Sequence, residues 1–315
     1  MKRDRISYIA IVGMIVIVFS LVMRYILFNS NIVEFSDVLD YHHQIESISS
    51  SDFLLNPGFA ARAPLYAMYG YLFTFFTPTI LTSLKVVSFM YSLLLFAPAY
   101  SIVRSLTRNK DSPFIKFAFP VIFAIYPWTM IMASVALQDI LLTFYVMSFV
   151  ALILIQEQKG TLAASVAAGL AFLCRYSAGV LGPLGFVFLL IRNRKEGLRN
   201  SFEFLVIWAV IAGSWILRNL VIVGVPFSTT DEGLFSLSYL IPGLVNVMSE
   251  LGLDRHAMNS VVLWIPIILM GLYYLQTAAG REKIKVYLTV DYLFIYLVLL
   301  GQIGTVVLFF SQQYR

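Results

Sequence analysis

Residues 6–28 read Ile-Ser-Tyr-Ile-Ala-Ile-Val-Gly-Met-Ile-Val-Ile-Val-Phe-Ser-Leu-Val-Met-Arg-Tyr-Ile-Leu-Phe, an apolar run with one charged residue, Arg24. A run of about 20 apolar residues is long enough to cross the hydrocarbon core of a bilayer as a helix. The basic residues that precede it resemble the start of a signal sequence, but no small-residue cleavage site follows the run. We therefore expect residues 6–28 to form a retained first membrane span.

The composition of the whole chain is typical of a membrane protein. Of the 315 residues, 60% are hydrophobic and 12% are charged, whereas a soluble domain has about 25% charged residues. Further apolar runs predict spans at residues 82–103, 114–132, 138–156, 161–178, 179–191, 202–217, 259–277 and 286–310. The predicted fold class is an all-α polytopic membrane protein with about nine transmembrane helices, forming a single domain over residues 1–315.

The distribution of charge predicts the side of the membrane on which each loop lies. The net charge is +5, and most of the 22 basic residues fall in short clusters between apolar runs. Cytoplasmic loops carry such clusters, so we place the N-terminus in the cytoplasm and exclude nucleic acid as a partner. Two long outer loops follow from this orientation, at residues 29–81 and 218–258, and they hold most of the acidic residues.

The first outer loop contains a short aromatic segment, residues 64–77. Counting this segment as a span would place every later loop against the charge rule. We therefore expect an interfacial helix, lying at the outer surface of the bilayer. Because the inner loops are too short to form domains, any chemistry is expected on the outer side.

Four short motifs follow one another along the chain. They are Asp37-Val-Leu-Asp40-Tyr41, Arg62-Ala-Pro-Leu-Tyr66, Gln138-Asp139, and Trp215-Ile-Leu-Arg218-Asn219 followed by Gly224-Val-Pro226-Phe. In this order and placement the chain resembles the GT-C glycosyltransferases, in particular the protein-mannosyltransferase and ArnT-like group. The resemblance implies a GT-C-like fold. It also implies transfer of a sugar from a polyprenyl-phosphate donor, dolichyl- or undecaprenyl-linked, to a protein, lipid or glycan acceptor on the outer face.

The chain departs from the family pattern in two respects. Relatives usually have Asp followed directly by Glu, whereas Val38 follows Asp37 and the second carboxylate is Asp40. On a helix, Asp37, Asp40 and Tyr41 would share one face, so the two carboxylates could still form one site. Relatives also often continue through further spans, so we expect a short or truncated member.

The resemblance and the chemistry of transfer suggest roles for the charged residues. Asp37 is expected to act as the general base that takes the acceptor proton during inverting transfer, with Asp40 beside it. The leaving lipid phosphate gains negative charge in the transition state, which fixed cations would stabilise. Three arginines are the expected ligands of that phosphate: Arg62, Arg175 and Arg218.

The remaining candidates concern the substrate and a metal. Contacts to substrate are expected from Tyr41, Tyr66, Asp139 and His42. Hard cations such as Mg²⁺ or Mn²⁺ prefer several oxygen ligands, and such a cation would be bound by Asp37, Asp40 and Asp139. His42 and His43 are adjacent and would point in different directions on a helix, so they make a poor metal pair.

Simpler explanations and another function stay open. Asp139 begins an apolar helix, where the helix dipole alone favours a carboxylate. Arginines at helix ends often extend to the membrane surface without binding a substrate. A lipid-linked sugar flippase or a noncatalytic membrane subunit is the alternative to a transferase. A carrier would place polar residues along the membrane normal, whereas a transferase would cluster them in one outer cavity.

Overall fold

The computed structural model describes residues 2–29, 37–50, 54–60, 62–106, 127–155, 158–192, 197–226 and 293–298. Within these ranges the chain forms helices joined by turns, and no strand is present. The all-α fold class is therefore confirmed for this part of the chain.

The helices lie on the predicted apolar runs and in the first outer loop. They are α1 Lys2–Asn29, α2 Asp37–Ser49, α3 Leu65–Thr74, α4 Ile80–Leu94, α5 Phe96–Leu106, α6 Pro127–Met132, α7 Asp139–Ile153, α8 Gln158–Cys174, α9 Leu181–Arg192 and α10 Gly197–Val223. Two 3₁₀ turns, Pro57–Ala60 and Tyr176–Val180, lie between α2 and α3 and between α8 and α9. Residues 293–298 are also helical.

Two helices of the described ranges are long and apolar enough to cross a membrane. The first is the continuous helical segment Ile80–Ser105, with 26 residues, which α4 and α5 form together, and the second is α10, Gly197–Val223, with 27 residues. In α10 the side chains of Val210, Leu217 and Val221 are 65%, 62% and 73% exposed. A long apolar surface of this kind indicates contact with lipid or a partner rather than with water.

The prediction of nine spans goes further than the described helices. Helices α7, α8 and α9 lie on predicted spans but are shorter than 18 residues. The predicted span 259–277 and most of 114–132 and 286–310 lie outside the described residues, as does the second outer loop beyond position 226. The number of spans and the cytoplasmic N-terminus therefore stay predictions.

Small residues allow the helices to pack closely. Helix α8 lies between α7 and α10, and its residues Ala164, Ala168 and Ala171 are fully buried. In α9, a Cβ atom on Gly182 would lie 2.5 Å from the ring of Trp208 in α10. Close approach of helix backbones, which small residues permit, explains why glycine occupies position 182.

The first outer loop packs onto the bundle through α2 and α3. Helix α2 contacts α3 and α4, and α3 also contacts α8. The buried Tyr66 hydroxyl lies 2.9 Å from both the Leu84 carbonyl oxygen and Ser88 Oγ of α4, which fixes the start of α3. The structure confirms a helix within residues 64–77, and its position in the outer interface stays a prediction.

Candidate functional site

One guanidinium bridges the two predicted catalytic carboxylates. Helix α2 begins at Asp37, so its first turn carries Asp37 and Asp40, where the helix dipole favours negative charge. Arg62 lies in the turn before α3, and its Nη2 donates to Asp37 Oδ1 at 2.7 Å while its Nε donates to Asp40 Oδ2 at 3.1 Å. The prediction that both carboxylates share one face of a helix is confirmed.

The turn that carries Arg62 is tied to α2 a second time. Gln44 Nε2 donates to the Arg62 carbonyl oxygen at 3.1 Å. Burial disfavours the charged form of Arg62, but Tyr41, Asp37 and Asp40 outweigh this and raise its pKa. Arg62 is therefore a permanent cation that is held in place from both its side chain and its backbone.

Tyr41 is a buried phenol on the same side of α2. It is fully buried, and its hydroxyl has no hydrogen-bond partner among the described residues. Its ring packs edge to face against Tyr66, with centroids 4.9 Å apart. Burial raises the pKa of Tyr41 well above its ordinary value; Arg62 opposes this effect, and Asp139 and Asp37 reinforce it. The phenol therefore stays protonated.

A second ion pair joins the start of α7 to the end of α8. Arg175 Nη1 donates to Asp139 Oδ1 at 2.8 Å, and Asp139 is the first residue of α7, as predicted. After burial itself, the charge of Asp139 contributes to the raised pKa of both Tyr41 and Tyr66. The Asp139–Arg175 pair therefore belongs to the same region as the Arg62 bridge.

Arg218 has a different environment from the other two arginines. Its Nε donates to the Leu54 carbonyl oxygen at 3.0 Å, and its Nη2 donates to the Asn56 carbonyl oxygen. Its guanidinium also lies 5.0 Å from the centre of the Trp215 ring. In this arrangement Arg218 anchors the outer-loop segment 54–56 to the end of α10. A role in binding the donor phosphate stays a prediction.

Two polar residues that the sequence did not single out support these contacts. The Tyr176 hydroxyl donates to the Phe59 carbonyl oxygen at 2.9 Å and accepts from Trp215 Nε1 at 3.0 Å, so it links the outer loop to α10. Gln44 is the other. Its position seven residues after Asp37 places it on the same helical face, a signal that could have found it. The contacts of Tyr176 with distant segments leave no local pattern in the sequence.

The predicted cation ligands do not converge. Among the described residues Asp37, Asp40 and Asp139 do not form a group with metal-ligand spacing, and the Arg62 guanidinium lies between the first two. The arrangement therefore does not fit a cation shared by the three aspartates. His42 faces Glu46, with Nδ1 3.6 Å from Oε1, and its contact with substrate stays a prediction.

The arrangement can perform acid–base and anion-binding chemistry. The side chains of Asp37 and Asp40 are 35% and 52% exposed despite their bonds to Arg62, so a hydroxyl or another donor group from solvent can reach them. Arg62 carries positive charge near the buried Tyr41, and Arg175 is paired with Asp139. Partly exposed carboxylates beside fixed cations are a suitable set for moving a proton next to an anionic group.

Comparison with known proteins supports the fold. No protein-family model and no curated protein sequence matches the chain. The apo structure of the Archaeoglobus fulgidus oligosaccharyltransferase matches with a TM-score of 0.51 and 16% identity, over 88% of this chain and 39% of that chain. The oligosaccharyltransferase AglB of the same organism, in complex with an inhibitory peptide and a dolichol-phosphate, gives a TM-score of 0.49 and 16% identity. This match covers 91% of this chain and 38% of that chain.

The likeness has a defined extent. This chain spans about two fifths of the length of the oligosaccharyltransferase that it matches. The likeness does not single out the protein-mannosyltransferase and ArnT-like branch that the sequence motifs resemble. At 16% identity it concerns the fold alone: the chain has a fold similar to part of that oligosaccharyltransferase.

Proposed function

We propose that this chain is an integral-membrane glycosyltransferase of the GT-C type. It transfers a sugar from a polyprenyl-phosphate donor to an acceptor on the outer face of the membrane, the acceptor being a protein, a lipid or a glycan. The observation that carries the proposal is the Arg62 bridge between Asp37 and Asp40. The similar fold and the two long apolar helices support it.

Asp37 is the general base of the proposed reaction. Its carboxylate takes the proton from the acceptor hydroxyl as the acceptor oxygen attacks the anomeric carbon of the sugar. The bond between that carbon and the phosphate oxygen breaks, and the lipid phosphate leaves with the bonding electrons. Because attack and departure take place on opposite faces of the sugar, the anomeric configuration is inverted.

Arg62 couples binding of the donor to activation of the base. Without donor, its guanidinium neutralises Asp37 at 2.7 Å. Guanidinium groups form charge-assisted hydrogen bonds with phosphates as readily as with carboxylates, so the donor phosphate competes for Arg62. When the Arg62 guanidinium exchanges Asp37 for the phosphate as its partner, Asp37 becomes an unpaired carboxylate beside the bound sugar. Arg175, which pairs with Asp139, stabilises the departing phosphate as a second cation.

The test is sugar transfer by purified protein in lipid vesicles that contain labelled polyprenyl-phosphate sugars. The Asp37→Asn variant is compared with wild type and with Glu203→Gln, which removes an acid that pairs with Arg199 on α10. We expect Asp37→Asn to lower transfer at least ~100-fold while donor binding persists, and Glu203→Gln to transfer normally.

Two results would contradict the proposal in different ways. Transfer by Asp37→Asn at the wild-type rate would show that Asp37 is not the base. Binding of donor by wild type with no transfer to protein, lipid or glycan acceptors would exclude a transferase, and a flippase or noncatalytic subunit would then be favoured.

A further inference from the structure

Three potential metal ligands lie together on the exposed part of α2. His42 Nδ1 is 3.6 Å from Glu46 Oε1, and His43 Nδ1 is 3.3 Å from Glu46 Oε2. One ligand atom from each of the three residues lies within 4.8 Å of the other two. Among the residues that the structure describes, no other group of three His, Cys, Asp or Glu side chains lies this close together.

Glu46 resolves the difficulty that adjacent histidines present. His42 and His43 leave a helix about 100° apart, so alone they would not face a common point. Glu46 follows them by four and three residues, and both spacings bring side chains together on a helix. The two rings are nearly perpendicular, at 84°, with centroids 6.2 Å apart. Each ring therefore approaches a different oxygen of one carboxylate.

The distances between the ligand atoms are compatible with metal coordination. His43 Nδ1 forms a long hydrogen bond with Glu46 Oε2 at 3.3 Å, and the 3.6 Å separation of His42 Nδ1 from Glu46 Oε1 is too long for one. Ligands at about 2.0–2.1 Å from zinc in tetrahedral geometry lie roughly 3.3 Å from each other. An ion pair on a helix surface contributes little to stability and needs one imidazole, whereas here two imidazoles converge on one carboxylate.

We propose that His42, His43 and Glu46 form a binding site for a divalent transition-metal ion, with Zn²⁺ as the preferred ion. Imidazole nitrogen suits Zn²⁺, Cu²⁺ and Ni²⁺, whereas Mg²⁺ takes oxygen ligands and water. The side chains of His42, His43 and Glu46 are 41%, 76% and 56% exposed. Three protein ligands and an open position toward solvent make an exchangeable site rather than a sealed structural one.

The bound ion would stabilise α2. It would link two consecutive residues to a third in the next turn, so the helix could not fray across this segment while the ion is bound. The site begins two residues after Asp40 and shares no ligand with the Arg62 bridge. Binding of the metal is therefore independent of whether the chain transfers a sugar.

The test is a zinc titration of the full chain in detergent by calorimetry, after removal of any polyhistidine tag. Copper binding, followed by electron paramagnetic resonance, counts the nitrogen ligands. The chain has three histidines, His42, His43 and His256, so the spectrum is simple to assign. The variants are His43→Ala and Glu46→Gln, with Glu203→Gln as the matched carboxylate control on α10.

We expect wild type to bind one Zn²⁺ at this site, with two nitrogen ligands in the copper spectrum. His43→Ala and Glu46→Gln should each weaken zinc binding at least ~10-fold, and Glu203→Gln should bind as wild type does. Excess Mg²⁺ should not displace the zinc. Because His43 and Glu46 are exposed, the variants should melt within a few degrees of wild type without metal.

Three outcomes would overturn the proposal. Wild type could fail to bind zinc at concentrations that saturate ordinary three-ligand sites. The variants could bind zinc as tightly as wild type. Zinc binding could also persist in both variants and disappear in Asp37→Asn, which would place the ion at the Arg62 bridge instead.

Discussion

Arg62 Nη2 donates to Asp37 Oδ1 at 2.7 Å, across 25 positions of the first outer loop. The same arginine accepts from Gln44 through its carbonyl oxygen, so it joins the turn before α3 to the first and the second turn of α2. Since Asp40 also bonds to its side chain, a single residue holds this part of the loop together. The architecture of the site therefore depends on Arg62 more than on either aspartate.

Replacement of Arg62 by alanine should destabilise the protein modestly. The variant leaves Asp37 and Asp40 facing each other without a cation, but both are partly exposed and water screens them. We expect the free energy of unfolding to fall by about 1 kcal/mol, measured by thermal unfolding in detergent. Adding Asp40→Asn to Arg62→Ala should recover part of the loss because it removes the repulsion. No recovery in the double variant would contradict the bridge.

Replacement of Arg218 by alanine tests its role as a loop anchor. Its guanidinium bonds to the Leu54 and Asn56 carbonyl oxygens, so its loss should loosen residues 54–60. We expect faster amide hydrogen exchange in that segment, with exchange in α2 unchanged. Arg199→Ala, which removes an exposed ion pair with Glu203, is the control. Unchanged exchange together with weaker donor binding would instead support Arg218 as a phosphate ligand.

The sequence predicted the helical class and most helix positions because apolar runs of sufficient length leave few alternatives. The position of Asp37, Asp40 and Tyr41 on one face of a helix was also predictable, since spacing on a helix depends on local sequence alone. The partners were not predictable in the same way. Arg62 was expected to bind a phosphate, and the structure shows it on two carboxylates 22 and 25 residues earlier.

Contacts between distant segments account for the rest of what the sequence missed. The resemblance groups Arg218 with the other arginines as a phosphate ligand, but the carbonyl oxygens that it binds carry no side-chain signal. The adjacent residues His42 and His43 point apart, as the sequence predicts. Glu46, three and four residues later, brings a carboxylate between them.

Two tyrosines on neighbouring helices should respond oppositely to loss of their hydroxyl. The Tyr66 hydroxyl forms hydrogen bonds with the Leu84 carbonyl oxygen and Ser88 Oγ, so Tyr66→Phe should lower the free energy of unfolding by about 1 kcal/mol. The Tyr41 hydroxyl is buried without a hydrogen-bond partner among the described residues, so Tyr41→Phe should be neutral or stabilising. Thermal unfolding measures both. A large loss of stability in Tyr41→Phe would show that its hydroxyl is bonded.

The pH dependence of stability should report burial of Tyr66. Burial raises the pKa of Tyr66 above the ordinary value of 10.0. The folded state therefore holds this proton more tightly than the unfolded state, and the stabilisation is present below about pH 10 and declines as the pH rises above it. Tyr66→Phe should lessen that decline in urea unfolding between pH 9 and about 11. Equal slopes for variant and wild type would contradict the prediction.

Two glycines in neighbouring helices offer a matched test of close packing. A Cβ atom on Gly182 would meet the Trp208 ring at 2.5 Å, whereas one on Gly213 in α10 would meet nothing within 4 Å. Gly182→Ala should therefore lower the free energy of unfolding by about 1–3 kcal/mol because the indole must move. Gly213→Ala should raise it by up to ~1 kcal/mol, since alanine favours a helix interior over glycine. The same substitution should then change the free energy of unfolding in opposite directions at the two positions, which helix propensity alone cannot produce. Equal changes would show that α9 and α10 do not pack as described.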